Sequence, residues 1–372
     1  MGRYGEYFTG DFKHLEGRQF KRPALEDKNL LIAGDFFGIQ KFIFERLSAT
    51  KASKVVRAKS AFVQLFTLTL ARYVCRELKI NESHIVSSNA GKFEILSPNR
   101  DSSVLKEVQS TVDRYFIENF YGLSGVSICY VEFDKNELGS ADRYKLLRKK
   151  LSDIVEESKY NKFNLTSKEP VLEYHSDISN ETLCKICNIR KKEGEFCSIC
   201  SMFEKLGRWL ADEKNNKKIS SKKDLLIELG DFETELTIDD NIRSYIKYSY
   251  DEEIKQTVPS SFSELAEESE GVKALAIIKA DVDGMGDFLR DSNITDSPES
   301  FDMFSKTLDN FFSKHIPSIM RNKYPDSYTV FTGGDDLFLL GRWDSLLELA
   351  REIRDEFKKF IKTDKLTISF GI

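Results

Sequence analysis

Four aspartates carry the strongest chemical signal in the sequence. Asp281 and Asp283 end the apolar run ALAIIKADVDG, and Asp335 and Asp336 follow Gly333 and Gly334 in FTGGDDLFLLG. Alternation along a strand aims Asp281 and Asp283 to one side and leaves the Val282 carbonyl as a further metal ligand. Carboxylates brought within about 4 Å of one another repel unless divalent cations lie among them, and hard oxygen donors suit Mg²⁺ or Mn²⁺. Gly333 and Gly334 permit a tight turn and close backbone approach to a triphosphate. Cations held this way activate an attacking ribose hydroxyl and neutralise a leaving pyrophosphate, which is nucleotidyl transfer. Three or four of these carboxylates, among Asp281, Asp283, Asp335 and Asp336, are therefore expected to converge on the metal and carry the catalysis. A Gly-Gly-Asp-Asp tetrapeptide alone is also an ordinary hairpin turn; the Asp-Val-Asp-Gly before it turns the balance towards a metal site.

A second constellation is Cys184-x2-Cys187-x9-Cys197-x2-Cys200. Each pair can grip a metal from a tight turn, and four thiolates complete a tetrahedron suited to Zn²⁺. A closed four-sulfur shell leaves no position for water, so the expected zinc is structural. Cys75 and Cys129 stand alone in apolar segments as buried thiols. Lys51, Lys54, Arg57 and Lys59 enter a long helix and read mostly as a solvated face, with steering of triphosphate as the other possibility. His315 reads as a packing residue on an amphipathic helix.

The elements that position these residues repeat. From Asn29 the pattern gives a strand, two helices with the second near residues 56–78, a hairpin turning at Asn89-Ala90-Gly91, a helix near 102–119 and the strand VSICYVEF. Beyond residue 270 the order returns, with helices near 301–320 and 344–361 and the final strand LTISFGI. Each series specifies an antiparallel sheet with helices on one face, the ferredoxin-like layout, and the chain is an internal duplication. Alignment sets Asp35 beside Asp281, Phe37 beside Asp283, Gly38 beside Gly284, and the turn 89–92 beside 333–336. The fold class is α+β. The expected domains are an N-terminal extension at 1–28, a first domain at 29–158, a polar zinc-binding insert at 159–270 and a second domain at 271–372. The Lys-rich run KNNKKISSKKD in the insert reads as a solvated loop.

With 372 residues, 40% hydrophobic, 31% charged and a net charge of −5, the chain has globular composition and lacks the basic surface of a free-standing binder of long nucleic acid. No apolar run of about 18 residues and no signal-peptide core occur, so a cytoplasmic location without membrane contact is expected.

Taken together, AGDFFGIQKFIF, SNAGKFEILSPN, the four-cysteine insert, ADVDGMGDFL and FTGGDDLFLLG resemble the large signature subunit of type III CRISPR effector complexes, most closely the III-A branch. The resemblance covers nearly the whole chain. It implies two palm domains facing each other, both contributing to ATP binding, that convert ATP to cyclic oligoadenylate second messengers once the complex binds target RNA. It assigns Asp281, Asp335 and Asp336 as metal ligands of the second palm, with Asp283, Gly333 and Gly334 at the nucleotide. The first palm would hold the acceptor ATP without catalytic metal, beside Ser87, Ser88, Asn89 and Gly91. Partners implied are the other complex subunits, including the neighbouring guide-RNA-handling subunit, with crRNA and target RNA contacted indirectly. Two departures stand out. No His is followed by Asp, so the family's histidine-aspartate nuclease is not expected, and the chain ends as the last palm strand forms, as a fragment would. The alternatives are a cyclic-dinucleotide synthase of the diguanylate cyclase type, which generally has a single palm and Phe where Leu337 stands, and a non-catalytic scaffold.

Overall fold

The computed structural model describes residues 21–45, 51–163, 182–211, 216–238, 242, 245–251, 255–333, 336–361 and 363–372. It forms two compact units. One comprises Phe20–Trp209 and Lys214–Ile238, and the other Asp239–Ile372 with Leu210–Glu213.

In the first unit, β1 (Lys28–Phe37) leads through α1 (Ile39–Phe44) and α2 (Ala52–Glu77) to the hairpin β2 (Ile85–Asn89) and β3 (Lys92–Ser97), then α3 (Ser102–Phe120) and β4 (Gly125–Asp134). The strand order is β2-β3-β1-β4 and every pairing is antiparallel. β1 is apolar on both faces because both are covered. α2 and α3 pack on one side through Phe62, Phe66 and Phe116, while α4 (Ala141–Ser158) lays Tyr144, Leu147 and Leu151 on the other, against Leu31, Val131 and Phe133. Each such side chain contributes about 1.5–3 kcal/mol of burial. α4 is further held by a bidentate ion pair from Arg148 to Glu94 of β3, with both contacts at 2.7 Å.

The stretch 159–270 divides between the two units. Its cysteine segment leads into α5 (Ser198–Trp209), which packs on α2, and the pair β5 (Lys217–Ser220) and β6 (Glu235–Ile238) completes the first unit. β5 corrects the reading of the Lys-rich run as a loop. Ile219 is buried while Lys217 and Lys218 face solvent, a half-buried strand that the lysines conceal. A second small pair, β7 (Tyr248–Asp251) and β8 (Gln256–Pro259), and the short helix α6 (Phe262–Glu267) belong to the second unit.

There β9 (Leu275–Asp283), α7 (Met285–Asp291), α8 (Pro298–Asn310), α9 (Ile316–Lys323), β10 (Ser327–Gly333), β11 (Asp336–Arg342), α10 (Trp343–Ile361) and β12 (Thr367–Gly371) repeat the first series, with strand order β10-β11-β9-β12. The expected single helix at 301–320 is interrupted by a π turn at Phe311–His315. Pro317 follows within α9; lacking an N–H, it cannot close the regular bond to the carbonyl four residues back. α10 buries Leu346, Leu349, Ile353, Phe357 and Ile361, a stripe at helical spacing, against Ile278, Leu339 and Ile368 of the sheet. His315 packs against Phe311 and Phe360, with Nε2 3.2 Å from Glu356 Oε2.

The two sheets agree in detail. Asp35 lies opposite Lys92 and Ser127 as Asp281 lies opposite Asp336 and Ser369, and each hairpin has one bulge at the same place, between Ile85 and Ser87 and between Thr329 and Phe331. Each first strand ends in a left-handed glycine, Gly38 at φ 74° and Gly284 at φ 73°, a conformation glycine adopts without strain. Each glycine carbonyl then accepts the N–H of a buried phenylalanine, Phe42 or Phe288.

Candidate functional site

β9 presents the acids. Ile278, Ala280 and Val282 face the helices and are buried, whereas Lys279 and Asp281 are exposed on the opposite face and Asp283 is half-buried there. Hydroxyls from the neighbouring strand fix Asp283: Thr367 Oγ1 and Ser369 Oγ donate to its Oδ2 at 2.8 and 2.7 Å. β11 places the backbone of Asp336 directly opposite Asp281. Facing residues in an antiparallel pair stand about 4.5–5.5 Å apart at Cα, and like charges there destabilise the sheet. The register thus brings the backbone positions of two acids together, with Asp283 two residues along β9 on the face of Asp281, and carboxylates are the hard oxygen donors that Mg²⁺ or Mn²⁺ takes. Gly333 is paired with Asp336 at the end of the hairpin. Gly334 and Asp335 lie outside the described residues.

The same position in the first sheet carries different chemistry. Asp35 is 8% exposed, and burial holds its carboxyl above the ordinary carboxylate value against the opposing pull of Lys92 and Lys159. Of the predicted nucleotide-side residues, Ser87 and Asn89 lie opposite Glu94 and Lys92, on the Asp35 face. Ser88 lies opposite buried Phe93, on the helix-covered face, where its hydroxyl has no hydrogen-bond partner among the described residues. Alternation along β2 therefore separates Ser88 from the other two. Gly91 sits in the turn at φ 83°, and its carbonyl accepts the Phe36 N–H at 2.8 Å.

The four cysteines converge. Their sulfurs all lie within 4.8 Å of one another, all four residues are buried, and none forms a disulfide. Cys187 Sγ and Cys197 Sγ are 4.0 Å apart, close to the roughly 3.8 Å edge of a tetrahedron with Zn–S bonds of about 2.3 Å. The turns that aim them are closed by backbone bonds, the Cys184 N–H to the Arg190 carbonyl and the Asn188 N–H to the Cys184 carbonyl, and α5 starts directly after Cys197. Hydrogen bonds from Cys197 and Cys200 press the Cys187 thiol well below its ordinary value, and the bond to Cys187 pushes Cys197 up to about 12. The donor set fits Zn²⁺.

This module is fastened to the first sheet's helices. The buried Arg57 Nε donates to the Gly207 carbonyl at 3.1 Å, and Lys51 and Lys54 each stand 3.6 Å from Glu204 of α5. A side chain at Gly207 would meet the Lys54 carbonyl at 2.3 Å, so glycine is what permits the close approach of α2 and α5. Phe203 enters the aromatic cluster of Phe42, Phe62 and Phe120, and Arg190 donates to the Asn119 carbonyl while lying over Tyr121. The basic entry to α2 is thus largely a docking surface. Its sequence signal was indistinguishable from a solvated face, because its acidic partner lies far along the chain. A cavity of about 40 Å³ beside the cluster is lined by Lys59, Arg190, Cys187 and Cys200 among others. Burial lowers Lys59 to about 8 while Cys200 and Cys187 act to raise it. Two basic side chains beside the cluster would offset the net negative charge of four thiolates around a zinc ion.

No helix among the described residues is long and apolar enough to cross a membrane. Comparison with known proteins accounts for both halves of the chain. Residues 28–177 match the Csm1 subunit domain B, and residues 274–372 match the second palm domain of Cas10/Cmr2. The chain is 25% identical to the Cas10/Csm1 single-strand-specific deoxyribonuclease (subtype III-A) of Thermococcus onnurineus, over 94% of this chain and 51% of that protein. It is 25% identical to the protein of the same name from Enterococcus italicus, over 93% and 50%. It therefore spans about half the length of the curated relatives it matches. Among solved structures, a Csm1–Csm4 subcomplex of the type III-A CRISPR–Csm interference complex superposes with a TM-score of 0.69 at 22% identity, covering 93% of this chain and 50% of that one. Csm1–Csm4 cassettes in complex with one ATP and with cA3 give TM-scores of 0.68 and 0.67 at 22% and 21% identity, with the same coverage. A duplicated sheet, an acid pair kept in one copy and two family models in order along one chain lead to one assignment: the chain belongs to the Cas10/Csm1 family of large subunits of type III-A CRISPR complexes.

Proposed function

We propose that the chain is the nucleotidyl-transferring part of such a subunit, which joins ATP molecules into cyclic oligoadenylates within a type III effector complex. The observation that carries this reading is the register that sets Asp336 opposite Asp281, with Asp283 on the same strand face. Asp281, Asp283, Asp335 and Asp336 would hold Mg²⁺ or Mn²⁺, which supplies charge neutralisation when bound. Thr367 and Ser369 orient Asp283. The expected reaction forms a bond from a ribose 3′-oxygen to an α-phosphorus and breaks the bond from that phosphorus to the pyrophosphate. The acceptor ATP is assigned to the first palm, beside Ser87, Asn89 and Gly91. Zn²⁺ on the four cysteines is structural in this reading. Relatives solved with ATP and with cA3 support the substrate and product class. The partner named with them, Csm4, is proposed as the neighbouring subunit here.

Deoxyribonuclease activity, which the relatives' names carry, is outside the proposal; no His-Asp dipeptide occurs in the sequence. The test is incubation of the chain, alone and assembled with its partner subunits and target RNA, with ATP and Mn²⁺, followed by mass spectrometry of products. Adenylate oligomers and pyrophosphate that disappear with Asp335→Ala plus Asp336→Ala are expected. Products from GTP rather than ATP would favour the cyclic-dinucleotide synthase. No product in the assembled complex would favour the scaffold.

A further inference from the structure

The strand position that holds Asp336 opposite Asp281 in the second sheet holds Lys92 opposite Asp35 in the first. A second ammonium reaches Asp35 from the C-terminal cap of α4, where Lys159 Nζ lies 3.8 Å from Asp35 Oδ2. Lys159 is shared with Glu156, whose Oε1 is 2.5 Å away. The placement of Lys159 follows from that of α4, which Tyr144, Leu147, Leu151 and the Arg148–Glu94 pair fix on the sheet. The strand position opposite another acid in one palm is thus opposite an exposed lysine in the other, with a second lysine, Lys159, within ion-pair distance of Asp35.

Charge and ligand number both matter here. A carboxylate with little exposure to water requires nearby positive charge or protonation. Two lysines bring the formal charge of one divalent ion without needing further oxygen ligands. They also repel such an ion. Of the second palm's donor positions the first retains only Asp35, with Phe37 in place of Asp283 and Lys92 in place of Asp336.

We propose that Lys92 and Lys159 occupy the electrostatic place of a divalent cation at Asp35 and so close the first palm to metal. Replacing Lys92 by an acid and removing the Lys159 charge opens a divalent-cation site formed by Asp35 and the new carboxylate. The proposal rests on the reading of Asp281 and Asp336 as a cation-binding pair.

The test uses the full chain carrying Asp281→Asn, Asp283→Asn, Asp335→Asn and Asp336→Asn, and reads free Mn²⁺ by electron paramagnetic resonance. This parent is expected to bind no Mn²⁺ with useful affinity. Adding Lys92→Asp and Lys159→Ala is expected to gain one Mn²⁺ per chain and tighten Mn²⁺ binding at least about 10-fold over the parent. No gain in a variant whose circular dichroism and cysteine-bound zinc are unchanged overturns the proposal. So does Mn²⁺ binding in the parent that Asp35→Asn abolishes. A second arm covers loss of folding. Lys92→Ala with Lys159→Ala is expected to lower the melting temperature, and Asp35→Asn in that background to restore it; failure to restore overturns the proposal. Comparing the natural chain with the four-Asn parent tests the second palm separately, so failure there sinks the catalytic reading instead.

Discussion

The two palms differ less in shape than in what stands at a few positions of a common frame. Strand order, the opposing residues, the bulge in the outer hairpin and the left-handed glycine before the first helix all coincide. At the hairpin tip one sheet sets acid against acid and the other acid against lysine. The surroundings differ too. In the first palm α4 covers the Asp35 face, whereas in the second the Asp281 face is exposed at Lys279 and Asp281. Under the proposed function, the shared frame would set where the chemistry takes place, and one cross-strand pair would set whether it uses a metal.

The comparison breaks most decisively at the acids. Asp335→Ala with Asp336→Ala is expected to lower adenylate transfer by at least about 10²-fold, measured by pyrophosphate release, while leaving the fold intact by circular dichroism. The cysteines come next. Cys184→Ser, or chelation, is expected to release one Zn²⁺ per chain and to lower the melting transition of the first unit by roughly 10 °C or more, with the second palm's transition unmoved. One merged transition displaced as a whole would show that the asymmetry is false. Arg148→Ala leaves the half-buried Glu94 without its partner, and a loss of about 1–3 kcal/mol is expected by denaturant unfolding. In the second palm, Thr367→Val with Ser369→Ala removes both hydroxyls from Asp283, and a rate loss of about 3-fold to 10-fold is expected, without loss of zinc. The smallest effect belongs to Asp35. Burial raises its pKa on folding, so the folded chain holds the proton more tightly than the unfolded chain. Its contribution to stability is full at acid pH and declines as pH rises from the ordinary carboxylate range through the raised one. Asp35→Asn is expected to remove that decline, stabilising the chain at neutral pH and not at acid pH. An equal shift at every pH would refute the burial account.

Much of the frame was legible because strands and helices leave periodic traces. The alignment of Asp35 with Asp281 and of the turn 89–92 with 333–336 follows from those traces and matches the observed register. Contacts between distant segments were not legible. Nothing near Gly207 in the sequence announces that it meets the Lys54 carbonyl, and nothing near Arg57 announces a buried bond to residue 207. Helix α4 escapes a sequence reading because its apolar stripe is short and its surface is thick with Lys and Glu, yet it packs on one sheet face. Of the site, the cysteine spacing and the Asp-Val-Asp alternation were readable directly. Separation of Ser88 from Ser87 and Asn89 required the pairing register, because three successive residues of a strand cannot share a face.

The bulge shared by the two hairpins bears on ancestry. An extra residue at the same rung of two ladders, at Val86 and Val330, is most economically inherited from one parental hairpin rather than acquired twice. The twisted outer strand is then older than the divergence of the two copies. The difference between lysine and acid at the tip is then a divergence on a scaffold already shaped to hold either.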